Sequence, residues 1–297
     1  MILVAGGTGR LGTQLVNRLV DRKLAVRILA RDPSRAAHLT GDLVTVVRGD
    51  VRNREALAAA TADVDVVVSA VHGFAEPRRA SLAAIDRDGN TNLIDAAKAA
   101  GAEFVLMSIV GAAADSPMEL FRMKHAAEQH AIASGVPTTI VRATAFLELW
   151  IEILQQTARR SGRPVVFGHG QNPINFVSVA DVAALLEHAV IDPATRGKTL
   201  EIGGRENLTF NQLALAVQKS SEGRGKARHV APIMLHLMAN SIGRVKPQLG
   251  RQATAALAMD RVDLTFDPTH IEQLYPDLPR SALADLLSGP VAIPQRG

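Results

Sequence analysis

Cysteine is absent from the chain. That excludes a disulfide framework, a thiolate nucleophile and a cysteine-ligated metal, and it fits a reducing compartment. Aromatic residues are scarce, at 3% with one Trp and one Tyr. A stacking platform for single-stranded nucleic acid needs several, and no zinc module replaces it, so no nucleic-acid partner is expected. No uninterrupted apolar run approaches the roughly 20 residues that span a bilayer. The opening MILVAGG enters a strand at once and lacks the basic and apolar pattern of a signal peptide. These absences lead to the expectation of a soluble, cytoplasmic protein without a membrane partner.

What remains is a chain of 297 residues, 47% hydrophobic and 21% charged, enough for one large α/β domain or a main domain with a smaller lobe. Branched apolar runs recur at Ile2–Ala5, Ala25–Ala30, Leu43–Val47, Val64–Ala70, Phe104–Ile109, Thr138–Ala143 and Thr199–Ile202. They are nearly continuous rather than alternating, as strands covered on both faces must be. Helical spacings such as Leu11, Leu15 and Leu19 lie between them. This alternation predicts an α/β fold with a doubly wound parallel sheet. After about Ala143 the rhythm loosens into a helix near Trp150, a loop-rich SGRPVVFGHGQNP and later short helices. We expect a nucleotide-binding domain over 1–145, with 176–204 returning to it. A smaller, discontinuous carboxy-terminal substrate lobe would be built from 146–175 and 205–297.

Charge is unevenly spread. Between Lys219 and Arg251 seven Lys and Arg residues stand against Glu222 alone, so the segment's +6 exceeds the +4 of the whole chain. Such a stretch is either a solvated basic surface or a surface for an anionic ligand or a protein partner.

VAGGTGRLG follows the first strand and opens the first helix. Gly6, Gly9 and Gly12, with Thr8, Arg10 and Leu11 between them, form a G-x-x-G-x-x-G turn. Glycine permits the tight turn and lets a pyrophosphate approach the backbone, and the helix start offers unpaired amides. This context at the first strand points to a dinucleotide. The second strand ends in ILARDPSR. An acidic residue there would accept from a ribose 2′-hydroxyl, but Arg31 and Arg35 suit a 2′-phosphate, favouring NADP over NAD. Asp32 lies beside them and opposes that preference. Asp50 and Val51 after the third strand are candidates for the adenine, and Ala70 and Val71 after the fourth for the ribose. Asp50 also reads as an ordinary turn residue.

GGTGRLG, Gly49–Asp50, the GNTNLIDAAKAAGAEFVLMS block and FVSVADVA together resemble the NmrA-like branch of the atypical short-chain dehydrogenase/reductases over roughly residues 1–215. The resemblance implies a Rossmann-like domain, NAD(P) and a carboxy-terminal substrate lobe. Members include NADPH-dependent reductases of quinones, dyes and plant phenolics, and others that bind the cofactor as redox sensors.

Ser116–Pro117–Met118–Glu119 is a helix start and Gly135 a stop, which places Lys124 two turns into a helix with Leu120 and Ala127 on its face. In the family the matching lysine binds the nicotinamide ribose or moves a proton. More typical members carry a tyrosine four residues earlier, where this chain has Leu120. The Tyr–Lys mechanism is therefore excluded. Three substitutes stand open: Lys124 as acid or base, Ser108 as hydrogen-bond partner of a substrate carbonyl, or an acceptor that takes its proton from water. Thr144 replaces part of the family's Pro–Gly and is a further cofactor contact. Phe146 and Trp150 read either as the wall of an apolar, aromatic-substrate pocket or as a helix's core stripe. The leading reading is an NADPH-dependent reductase of a flat, mostly apolar small molecule; the alternative is a silent NADP(H)-binding sensor.

Arg31→Ala should weaken NADPH binding about tenfold or more, from loss of a charge-assisted contact of roughly 1.5–3 kcal/mol, while leaving NADH nearly unchanged. Calorimetric titration with both nucleotides checks this, and equal losses would remove Arg31 from the phosphate site.

Overall fold

The computed structural model describes residues 1–39, 41–73, 81–220, 226–242 and 247–288. Two compact units divide the chain: 1–143, 179–202 and 275–279 form the first, and 144–178, 203–274 and 280–297 the second.

In the first unit, β1 (Ile2–Ala5), β2 (Val26–Ala30), β3 (Val44–Arg48), β4 (Val66–Ser69), β5 (Glu103–Ile109), β6 (Thr138–Ala143) and β10 (Thr199–Ile202) make one sheet in the order β10-β6-β5-β4-β1-β2-β3. Every pairing in it is parallel. The chain winds outward from β1 in one direction and returns from β4 in the other. The crevice at this switch point is where such sheets bind ligands. Helix α1 (Arg10–Asp21) packs beside α6 (Val179–Ile191), while α2 (Arg54–Ala60), α3 (Asp88–Ala100) and α4 (Glu119–Ser134) line the other face. Leu11, Leu15 and Leu19, spaced four apart, are buried on α1 as the periodicity requires. Buried Glu187 on α6 takes both Arg18 and Arg22 of α1, so its charge is paired.

The second unit contains β7 (Ala145–Phe146), α5 (Leu147–Ser161), β8 (Val165–Phe167), β9 (Pro173–Val177), β11 (Asn207–Thr209), α7 (Phe210–Ser220) and β12 (Arg228–Val230). Leu147, Ile151 and Leu154 of α5 close over Ile174, Phe176, Leu213 and Val217. Strand β8 lies within what reads as loop and β9 starts at its last residue, because three to five residues are too few to show a period. Strand β9 pairs with β7 and β11. The segment that returns to the first unit therefore starts at Val179, later than the expected 176. The return of 275–279 has no sequence signal at all.

One expectation about elements needs correction. Helix α4 begins at Glu119 with Met118 as its cap position, two residues after the expected start, and the Ser116 hydroxyl instead accepts from the Met118 amide at 3.3 Å. Its stop is Gly135, at φ 76. Of the basic stretch, Arg224, Arg244 and Lys246 lie outside the described residues, as does the side chain of Arg251. Among the described residues no helix is long and apolar enough to cross a membrane.

Asn175 is a tertiary node that no local pattern shows. Its Oδ1 accepts from the Thr144 hydroxyl at 2.9 Å and the Gly204 amide at 2.7 Å, while its Nδ2 donates to the Gly204 carbonyl at 3.1 Å. So close is this approach that a Cβ on Gly204 would stand 1.9 Å from the Phe176 carbonyl oxygen. Gly204→Ala should accordingly lower the thermal unfolding midpoint by several degrees. Gly101→Ala meets open space at φ +68 and should cost only about 1 kcal/mol. Melting curves that fail to rank the two in this order would contradict the packing.

Candidate functional site: a dinucleotide cleft at the strand ends

Glycine is demanded by the fold at two places in the first turn. Gly6 has φ +87, and a Cβ there would lie 2.6 Å from the Ala70 carbonyl oxygen; one on Gly12 would lie 2.2 Å from the Gly6 carbonyl. Close backbone approach thus ties the exit of β1 to the exit of β4 and presses α1 onto its own turn. Gly9 differs. It is exposed, and its nearest neighbour to an added Cβ is the Gly6 carbonyl at 3.3 Å. A side chain there meets a tight contact but no overlap like those at Gly6 and Gly12, whereas a pyrophosphate seated on the first-turn amides of α1 would exclude it. The turn is closed by the Gly9 amide on the Gly6 carbonyl at 3.0 Å and the Thr13 amide on the Gly9 carbonyl at 2.8 Å. Thr8 and Arg10 are half-buried at its rim, while the Leu11 side chain is in the core, so only its backbone can face a ligand.

At the next strand ends the structure gathers cations. Arg31 and Arg35 are exposed, and β3 pairs Arg48 with Ala30, which puts a third guanidinium beside them. Arg48 was missed in the sequence because only the register of β2 on β3 makes it a neighbour of Arg31. Asp32 is exposed, and its Oδ1 accepts from the Ser34 hydroxyl at 2.7 Å and the Ser34 amide at 3.1 Å. Those bonds, then Arg35 and Arg48, hold its carboxyl below the usual range. Asp32 is thereby occupied as a turn cap.

Asp50 has a comparable fate. Arg52 donates to it from Nε at 2.9 Å, from Nη2 at 2.6 Å and from its amide at 2.9 Å, and with a smaller pull from Arg31 these depress its carboxyl. It is an ion-paired turn residue. Val51 also departs from expectation: it is buried, and a Cβ on Gly89 of α3 would meet its Cγ2 at 2.6 Å, so its side chain serves the core.

The exits of β4 and β5 carry the third part of the site. Lys124 is only 5% exposed. Its Nζ donates to the Val71 carbonyl at 2.9 Å and the Met107 carbonyl at 3.1 Å, joining the two exits, and forms an ion pair with Asp86 at 3.2 Å. Asp86 is fully buried and accepts from the Gly73 amide at 2.8 Å. Asn90 donates to the Asp86 carbonyl at 2.8 Å and accepts from the Ser69 hydroxyl at 2.5 Å. Neither Asp86 nor Asn90 stood out in the sequence, although a polar IDRDGN opening a buried helix was a visible signal. Ser108 does not stand where expected. Its buried hydroxyl donates to Glu128 at 2.5 Å, and Arg142 clamps Glu128 from Nε at 2.9 Å and Nη2 at 2.6 Å. The side chain faces α4 and is spent within the protein, so it offers nothing to a substrate carbonyl.

A glycine turn at the first strand, arginines at the second and third, and a lysine bridging the fourth and fifth all stand at carboxyl ends of one parallel sheet. The model of a family described as NAD(P)H-binding matches residues 6–193. This chain belongs to that family, on the NmrA-like branch of the atypical short-chain dehydrogenase/reductases. Among relatives of this NAD(P)H-binding chain is the NAD(P)H azoreductase of Xenophilus azovorans, 30% identical over 235 residues that cover 78% of this chain and 77% of the relative. The fold is shared with the NADPH-dependent quinone oxidoreductase of Escherichia coli complexed with NADPH, at TM-score 0.80 and 23% identity over 97% of this chain and 99% of that one. The triphenylmethane reductase of Citrobacter complexed with NADP(H) matches at TM-score 0.79 and 19% identity, over the same shares.

Three remaining candidates belong to the second unit of this NAD(P)H-binding protein. Thr144 is buried and its hydroxyl is donated to Asn175, so it is engaged away from any cofactor. Trp150 sets its ring edge-on to Phe210 at 4.7 Å, against the core of that unit. The core-stripe reading therefore describes Trp150. Phe146 is half-buried on β7, paired with Val177. Tyr275 lies in the first unit with its ring 4.6 Å from that of His188, and burial and Asp192 push its hydroxyl up. His188 is in the last turn of α6, just before the connection that leads into the start of β10, at the end of the sheet opposite the Gly6 turn.

The glycine geometry separates fold from ligand. Gly12→Ala should destabilise the chain strongly, whereas Gly9→Ala should cost far less in melting temperature and weaken nucleotide binding at least about tenfold. Isothermal titration of both variants checks this; unaltered affinity in Gly9→Ala would show that no phosphate approaches there.

Proposed function

We propose that the protein is an NADPH-dependent reductase that delivers hydride to a flat, mostly apolar acceptor of quinone, dye or phenolic type. The observation that supports this reading is the pairing of a nucleotide cradle with a missing acid: Leu120 stands where the family's tyrosine would, and the Ser108 hydroxyl is donated to Glu128. Bound in the cleft, the reduced nicotinamide would supply the hydride. Acceptors with extended conjugation fit such a site, because the charge they gain is delocalised and their proton can come from water. The named activities of the azoreductase, quinone oxidoreductase and triphenylmethane reductase are of this kind. Arg31, Arg35 and Arg48 support NADPH over NADH, since three cations at these strand ends outweigh Asp32, whose Oδ1 is engaged by Ser34. Lys124 would orient the nucleotide from beneath the β4 and β5 exits, with two of its three N–H groups fixed on carbonyls.

The second reading, a binding protein that senses NADP(H), is favoured by the same missing acid and by the burial of Lys124. Following NADPH absorbance over quinone, azo and triphenylmethane acceptors separates the two. Turnover of at least one class, several-fold faster with NADPH than with NADH, is expected; tight binding without oxidation of any acceptor would establish the sensor.

A further inference from the structure

Asp86 has a feature the cleft described so far does not account for. It is fully buried, and although Oδ2 accepts the Gly73 amide, Oδ1 accepts no aligned hydrogen bond among the described residues. Oδ1 lies 3.2 Å from the Lys124 ammonium, close enough for an ion pair but without hydrogen-bond alignment. Lys124 therefore has two N–H groups on carbonyls and a third that makes no aligned bond to Asp86, although the Asp86 charge lies beside it. Buried ion pairs of this sort are poor sources of stability, because desolvation offsets the attraction, and apolar replacements often serve as well. A pair kept under those terms at the rim of a binding cleft has a different use.

The surroundings show what that use is. Asp86 sits in a wide turn of π type, Ala83–Arg87, by which the chain enters α3; such turns mark functional sites more often than chance. Its backbone carbonyl is fixed by Asn90, which also takes the Ser69 hydroxyl at the end of β4. Its carboxylate then reaches both the Gly73 amide and Lys124, whose other contacts are the Val71 and Met107 carbonyls. One acidic side chain thus sets the backbone from Ala70 to Gly73, which borders the Gly6 turn, and the direction of the lysine beneath it.

We propose that Asp86 is a positioning residue: it acts through Lys124 and the Val71–Gly73 turn, holding the lysine's third N–H toward the bound dinucleotide. This rests on the nucleotide reading above and deepens it. An amide in place of the carboxylate cannot satisfy both neighbours. Whichever way the side chain of an Asp86→Asn variant turned, its NH2 would oppose either the Gly73 amide or the ammonium.

Asp86→Asn, Lys124→Met and the double variant decide the matter, read by calorimetric NADPH affinity and by thermal unfolding. Each single variant leaves a buried conflict or an unpaired charge and should melt lower. In the double variant the amide oxygen can take Gly73 and the buried charge conflict is gone, so the melting temperature should fall by less than the sum of the two single losses. Affinity should not recover, staying about tenfold or more below the parent, as expected for a lost charge-assisted contact. Parent-like affinity in the double variant would overturn the proposal, as would an Asp86→Asn chain that melts lower yet binds NADPH unchanged. Both readouts hold even if the parent binds NADPH and oxidises none, so failure of the reductase reading is told apart from failure of this one.

Discussion

The close passage of three stretches of backbone at the end of β1 is the constraint on which the site depends. Gly6 meets the Ala70 carbonyl and Gly12 meets Gly6, at separations that leave no space for a single methyl group. That contact fixes where α1 starts, and the start of α1 fixes where amides point. It also brings the exits of β1 and β4 together at the switch point of the sheet. The remaining groups of the cleft are then placed by strand register: β2 and β3 deliver Arg31 and Arg48, and β4 and β5 deliver the carbonyls that hold Lys124.

Charge in this cleft is arranged by occupation. Two carboxylates lie near the arginines, and simple counting would let them cancel. Each is already bound: Asp32 by Ser34 and Asp50 by Arg52. Arg52 offsets the charge of Asp50, and Asp32 alone does not balance Arg31, Arg35 and Arg48, so the outward character of these strand ends is cationic. Occupation also withdraws Ser108 and Thr144, whose hydroxyls are donated to Glu128 and Asn175 inside the protein. A residue's chemical type says what it can do; its first partner decides what is left.

Much of the sheet was legible because a buried parallel strand carries its own signal. Ile2–Ala5, Thr138–Ala143 and Thr199–Ile202 stand where their apolar runs lie, and the other four strands differ by one to three residues at their ends. The glycine turn and Arg31 could be read because both follow directly on such runs. Strands β7 and β8, with two and three residues, could not, since no period fits in so short a span. Asp86 and Arg48 escaped for another reason: each gains its meaning from a neighbour far along the chain, Lys124 in one case and the β2 exit in the other.

The sequence alone determined the class of fold, the nucleotide turn and the loss of a tyrosine four residues before Lys124, since those depend on residue type and short-range spacing. Only the tertiary structure decided which polar side chains remain available to a ligand. That outcome depends on hydrogen-bond geometry across strands and helices, where about 3 Å of separation settles whether a hydroxyl or carboxylate is free or spent. It withdrew Ser108 and Thr144 from the site, moved Trp150 to a core, and put a buried carboxylate beside the lysine.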